Sequence, residues 1–166
     1  MSADTRRAIS DMLAAHNTIS LGTAQADRPW VAAVFYASDA DLNLYFVSDY
    51  RTRHGRDMQA NAQVAGAINP DCGTWDDVRG LQMEGRVEVL TGAARLKGLG
   101  CYLAKFHAVK ALFDQPRNRN EETIAERLKA ANLYRLEPDW IRLIDNSRWF
   151  GFKEELRLRE VTETAD

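Results

Sequence analysis

Apolar and polar side chains alternate with a period of two through several short runs between residues 18 and 90. Thr18–Ala24 puts Ile19 and Leu21 on one side and predicts a strand. Trp30–Ala37 (WVAAVFYA) is almost continuously apolar, which predicts a strand buried on both faces for much of its length. Leu42–Ser48 sets Leu42, Leu44 and Phe46 against Asn43, Tyr45 and Val47, the pattern of a strand with one buried face. Ser38–Asp41 supplies a hairpin loop between these two strands. Val64–Ile68 reads as a strand of small residues ended by Pro70–Gly73. Val78–Leu90 is the longest alternating run, with Leu81, Met83, Val87 and Val89 opposite Gln82, Glu84, Arg86 and Glu88. Gly85 interrupts its apolar side and marks a bulge or a close backbone approach.

Elsewhere the period lengthens to that of a helix. Residues 4–16 place Ile9, Met12, Leu13 and His16 on one face. A short helix is predicted over 52–61, with Thr52 as its N-cap. Ala93–Phe113 carries a stripe of Leu96, Leu99, Leu103 and Phe106, with Tyr102 beside it and Gly98 and Gly100 in its middle. After the polar break Gln115–Asn120, residues 121–132 repeat the pattern through Ile124, Leu128 and Ala131. Leu133–Leu136 and Trp140–Ile144 read as extended, separated by Pro138. An aromatic loop follows at 146–152, then a last short strand through Leu156 and Leu158, and a polar, fraying tail from Val161. Strands in hairpin-like succession with helices attached predict a mainly β, α+β fold. The expected sheet is antiparallel with six to seven strands, and not doubly wound.

The totals narrow the function. A chain of 166 residues suits a single domain spanning 1–166. A net charge of −2 and a pI near 5.9 give no general basic field for nucleic acid. No apolar run reaches the roughly 20 residues of a membrane span, and the N-terminus has no apolar core of a secretory leader. Two cysteines, Cys72 and Cys101, are too few for a disulfide framework, so a cytoplasmic location is expected. His16, His54 and His107 show no ligand spacing, and no metal site is expected. Phosphate-loop, dinucleotide and nucleophile-elbow motifs are absent from the sequence.

The chemistry concentrates in Leu42–Met58. There a strand ends at Ser48 and runs into Arg51-Thr52-Arg53-His54 at a helix start, with Arg56 close behind. First-turn amides, a hydroxyl and guanidinium groups together suit a phosphate. A solvated basic turn is the commoner reading of the same residues, since such short clusters are frequent. The polar side of Val78–Leu90 is also open to two readings, a solvated strand face or an interface in which Gln82 offers both a donor and an acceptor.

Four motifs in order resemble the FMN-binding split barrels related to pyridoxamine-phosphate oxidase, in a poorly characterised bacterial branch. They are Pro29–Tyr36; Leu44–Ser48 with Thr52-Arg53 and Asn61–Ala65; Arg79–Val87 (RGLQMEGRV); and Asp145–Lys153 (DNSRWFGFK). The resemblance implies a homodimer with FMN at the interface. It implies that Val34, Phe35 and Tyr36 run along the flavin ring, and that Ser48, Thr52, Arg53 and His54 surround the phosphate. Gln82 would reach the ring from the partner subunit, and Asn146 and Trp149 would close the pocket. The implied activity is that of an oxidoreductase passing hydride or electrons between flavin and a small molecule. A non-catalytic flavin-, haem- or deazaflavin-binding module is the alternative. His54 stands where the family often has lysine, and the C-terminal region lacks the arginine–histidine pattern with which the true oxidase binds pyridoxal. Residues 115–132 read as an added helical insertion.

Overall fold

The computed structural model describes residues 3–159, so the tail expected to fray from Val161 lies outside the described residues. Five helices and seven strands follow in the order α1 (Ala3–Ala15), β1 (Thr18–Gln25), β2 (Arg28–Ser38), β3 (Leu44–Ser48), α2 (Arg53–Ala60), β4 (Gln63–Ile68), β5 (Arg79–Val89), α3 (Gly92–Lys105), α4 (His107–Asp114), α5 (Arg119–Ala130), β6 (Asn132–Asp145) and β7 (Lys153–Arg157). Every pairing is antiparallel, in the order β3-β2-β1-β4-β5-β6-β7. A further pairing of β3 with β6, from Leu44↔Leu136 to Ser48↔Asn132, closes β1 to β6 into an imperfect ring. The expected antiparallel sheet with helices attached is what the chain forms, as a mixed α+β fold rather than a mainly β one.

The inward face of that ring carries Ile19, Leu21, Val34, Tyr36, Phe46, Met83, Ile141 and Leu143, with Ile9 and Leu13 of α1 packed among them. Thr5 Oγ1 donates to Glu154, and Tyr36 Oη donates to the Leu13 carbonyl at 2.9 Å, so α1 is tied to β7 and β2. Lys105 Nζ donates to the carbonyls of Leu13 and His16 and stands 4.4 Å over the Tyr36 ring. Burial pushes its ammonium below the usual lysine range. The end of α1 thereby gains a cation beside its exposed carbonyls.

Four further expectations change. β2 is not buried on both faces: Trp30, Val31 and Phe35 are exposed in the single chain, because nothing in the ring packs against that side. β3 is the strand buried on both faces. Phe46 and Leu44 face the ring interior, while Tyr45 packs with Leu90 and Leu133 under α3. The run predicted as one helix over 93–113 breaks at Phe106, and its stripe is displaced. Leu96 is 73% exposed, and Gly98 and Tyr102 are buried instead. A Cβ on Gly98 would lie 2.8 Å from the Tyr45 ring, so the glycine is what lets α3 approach β3. Finally, the two extended segments around Pro138 are one strand, β6. Its register shifts between Glu84 and Gly85 of β5, where Asp139 is left without a residue opposite it on β5. Gly85 is required there, since a Cβ would fall 2.2 Å from the Glu137 carbonyl oxygen.

Candidate functional site

β2 and β3 pair only at Tyr36↔Phe46, Ala37↔Tyr45 and Ser38↔Leu44. Continuing that register would set Phe35 opposite Val47 and Val34 opposite Ser48. The strands part instead, and these four residues line a cavity of about 770 Å³, in the size range of small-molecule sites. Parting leaves backbone N–H and C=O groups on this edge of β2 without a strand partner, since alternate residues of an antiparallel strand address each neighbour. The gap is thus both a slot and a row of hydrogen-bonding groups.

One end of the slot is the turn from β3 into α2. Thr52 caps α2, accepting from the Gly55 amide at 3.1 Å while its hydroxyl donates to the Asp49 carbonyl at 2.7 Å. The first-turn amides of Arg53 and His54 are left without intrahelical acceptors. Ser48 Oγ and His54 Nε2 share a hydrogen bond of 2.6 Å, and both residues line the cavity. Burial pushes the His54 imidazole below the usual histidine range, partly offset by the Asp57 carboxylate. Arg51 lines the same end, but its guanidinium clasps Asp49 and holds that carboxyl down to about 2. Before any ligand arrives, the corner therefore has donors in plenty and little net charge.

Not every expected residue meets at this slot. Val34, Phe35, Ser48 and His54 do. The Tyr36 ring is buried on the core side and its amide donates to the Asn17 carbonyl, so it contributes only as the last paired residue before the split. Thr52 supports the corner from behind as a cap. Arg53 turns away. Its Nε donates to both oxygens of Asp57 at 3.0 and 3.1 Å, and the guanidinium lies 5.4 Å over the Trp30 ring. Asp57 also accepts from Thr23 Oγ1 at 3.0 Å.

Gln82, Asn146 and Trp149 lie outside the cavity of their own chain. Gln82 is on the outward face of β5, accepting from Arg142 at 3.3 Å. Asn146 donates to the Trp75 carbonyl and accepts from the Gly151 amide, bracing a loop on which Trp149 packs edge-on against Phe152.

Other lining residues were not singled out from the sequence: Tyr102 of α3, and Arg127, Leu128, Ala130 and Ala131 at the end of α5. Leu128 and Ala131 stand on the apolar stripe of that helix, so the signal was present. Its other half faces solvent, with Ile124 45% exposed.

Fold and slot together describe a split barrel with a cavity where two strands separate. The sequence model of the family described as "Pyridoxamine 5'-phosphate oxidase" matches residues 5–145, and the chain belongs to that family. A UPF0306 protein of Klebsiella pneumoniae is 28% identical over 163 residues, covering 98% of this chain and 99% of the relative. A haem binding protein from Mycobacterium smegmatis has the same fold, with a TM-score of 0.71 and 15% identity over 95% of this chain and 59% of that one. A Listeria innocua protein described as a candidate pyridoxamine 5'-phosphate oxidase matches with a TM-score of 0.63 and 16% identity, over 85% of this chain and 98% of its own. Among the described residues, no helix is long and apolar enough to cross a membrane.

Proposed function

We propose that the cavity between β2 and β3 binds FMN and that the protein is a flavin-dependent oxidoreductase acting on a small organic molecule. The observation that carries this reading is the separation of β2 from β3, which opens one slot bordered by Phe35 along its side and by Ser48 and His54 at its end. The freed edge of β2 suits the polar rim of a flavin ring. Ser48, His54 and the first amides of α2 suit a phosphate. When bound, the flavin supplies the electron-transfer chemistry, and the chain's own task is to position the ring and exclude water.

The same reading puts a second copy of the chain over the outward face of β1, β2, β4 and β5. Val31 is 65% exposed and Phe35 57% on that face, beside the small residues Gly22, Ala65 and Ala67. A homodimer formed there sets Gln82, Asn146 and Trp149 of one protomer toward the cavity of the other. Val31→Asp should shift the protein from dimer to monomer in sedimentation; a wild-type monomer would remove this part of the proposal.

The testing experiment is titration with FMN, followed by flavin fluorescence and calorimetry. Ser48→Ala and His54→Ala should each weaken binding by about 1.5–3 kcal/mol, the usual loss for a charge-assisted contact. Absence of binding to the wild type removes the cofactor claim. A second reading, haem, has one observation in its favour: His54 lines the cavity and imidazole is an axial ligand. A Soret band in place of the flavin bands separates the two.

A further inference from the structure

β5 and β6 are antiparallel neighbours, a connection that a short hairpin loop can make. Instead, residues 90–131 intervene, and that helical excursion reaches the cavity through Tyr102 of α3 and the end of α5. Two contacts fix this end. Asn132, the first residue of β6, pairs with Ser48 of the phosphate corner, and Arg95 of α3 donates to the Ala131 carbonyl at 3.3 Å. The last turn of α5 is therefore held against the slot, whereas Ala125 is the one buried residue of the helix.

Arg127 and Leu128 stand on that turn and line the cavity. Two nearby cations have partners: Arg117, just before α5, clasps Glu121, and Lys129 of α5 lies 5.9 Å from the Phe113 ring centre. Arg127 makes no ion pair or side-chain hydrogen bond among the described residues. A favourable contact with the helix dipole accounts for a cation in a last turn; Arg127, exposed to solvent, also lines the cavity together with Leu128, Tyr102 and Phe35.

Resting on the cofactor reading, we propose that Arg127 is a specificity-determining residue for the second ligand of this site. That ligand is a small planar molecule bearing a carboxylate. Its ring lies between Leu128 and the wall of Phe35 and Tyr102, and its carboxylate takes the two parallel N–H donors of the guanidinium. No covalent step is involved.

The test titrates FMN-loaded protein with benzoate and with the uncharged isostere benzamide, read by calorimetry and by the change in the flavin absorption bands. Arg127→Gln keeps most of the aliphatic stem and removes the charge. The expected result is benzoate binding weakened roughly tenfold or more in Arg127→Gln, with benzamide and FMN affinities unchanged. Equal affinity of the wild type for benzoate and benzamide overturns the proposal. So does no benzoate binding at all, or an Arg127→Gln variant that loses FMN and not benzoate. Should the wild type take up no FMN, the cofactor reading fails by itself. The same pair of probes on the ligand-free protein then decides Arg127: discrimination lost on Arg127→Gln upholds it, and no discrimination overturns it.

Discussion

The family pattern assigns Arg53 to a phosphate, and the structure gives it a different partner, which makes Arg53→Ala the sharpest test of the site. The Asp57 side chain is 1% exposed and that of Arg53 is 29% exposed. The pair lies between the surface case, worth about 0–1 kcal/mol, and the buried case, in which removing one partner costs about 3–5 kcal/mol. Arg53→Ala leaves the Asp57 carboxylate with Thr23 as its remaining side-chain donor. A loss of about 2–3 kcal/mol in the ligand-free protein is expected, placing it between those limits. For a chain of this size that lowers the melting temperature by roughly 5–10 °C. Replacing Asp57 by Asn in the Arg53→Ala background should restore part of the loss, because the stranded charge is gone while the acceptor for Thr23 remains. The assay is thermal or urea unfolding of the four proteins of the cycle without FMN. A residue that served only as a phosphate contact would leave ligand-free stability untouched. Wild-type melting of Arg53→Ala, combined with a large loss of FMN affinity, would refute a structural role for the Arg53–Asp57 pair and return Arg53 to the phosphate.

Two further outcomes follow from the same corner. Burial holds His54 below its ordinary value, so over the window between the lowered folded pKa and the unfolded value near 6.5 the unfolded chain binds the extra proton. Its contribution to stability is thus full above about pH 6.5 and is lost as pH falls through the folded value. FMN binding should run the other way, strengthening as pH falls and the imidazolium forms beside the phosphate. Both pH dependences, read as urea midpoints and FMN affinities from pH 5 to 8, should differ from those of His54→Lys; parallel curves would count against a titrating His54. Gly55→Ala would place a Cβ 2.6 Å from the Asp49 carbonyl oxygen and 2.8 Å from Tyr50 Cα, both backbone atoms. Since neither can step aside cheaply, a stability loss of about 1–3 kcal/mol together with weakened FMN binding is expected; unchanged unfolding and titration curves would show that the turn is not packed against α2 as described.

Much of the fold was legible because it rests on short-range physics. Alternation over Thr18–Ala24 and Val78–Leu90, the turn residues between runs and the Thr52 cap each act within a few residues of sequence. Each lies close to where the structure places it. The placement of Ser48 and His54 at the candidate site was legible in the same way, since one ends a strand and the other stands in the first turn of a helix. Which face of a strand is covered is another matter, because it depends on elements distant in the chain. β2 looked buried and exposes Val31 and Phe35, whereas β3 looked half-polar and is enclosed once Gly98 brings α3 onto Tyr45. The partner of Arg53 could not be foreseen either. Asp57 four residues on was visible, but its burial depends on β1 supplying Thr23.

The sequence by itself determined the local elements and the types of donor at the corner between β3 and α2, because hydrophobic period and capping are settled between near neighbours. Tertiary structure alone decided that β2 and β3 part after Tyr36, that Arg53 turns inward to Asp57, and that the end of α5 walls the resulting slot. Ring closure through β3 and β6 joins Ser48 to Asn132, residues far apart in sequence, and no local pattern encodes that contact.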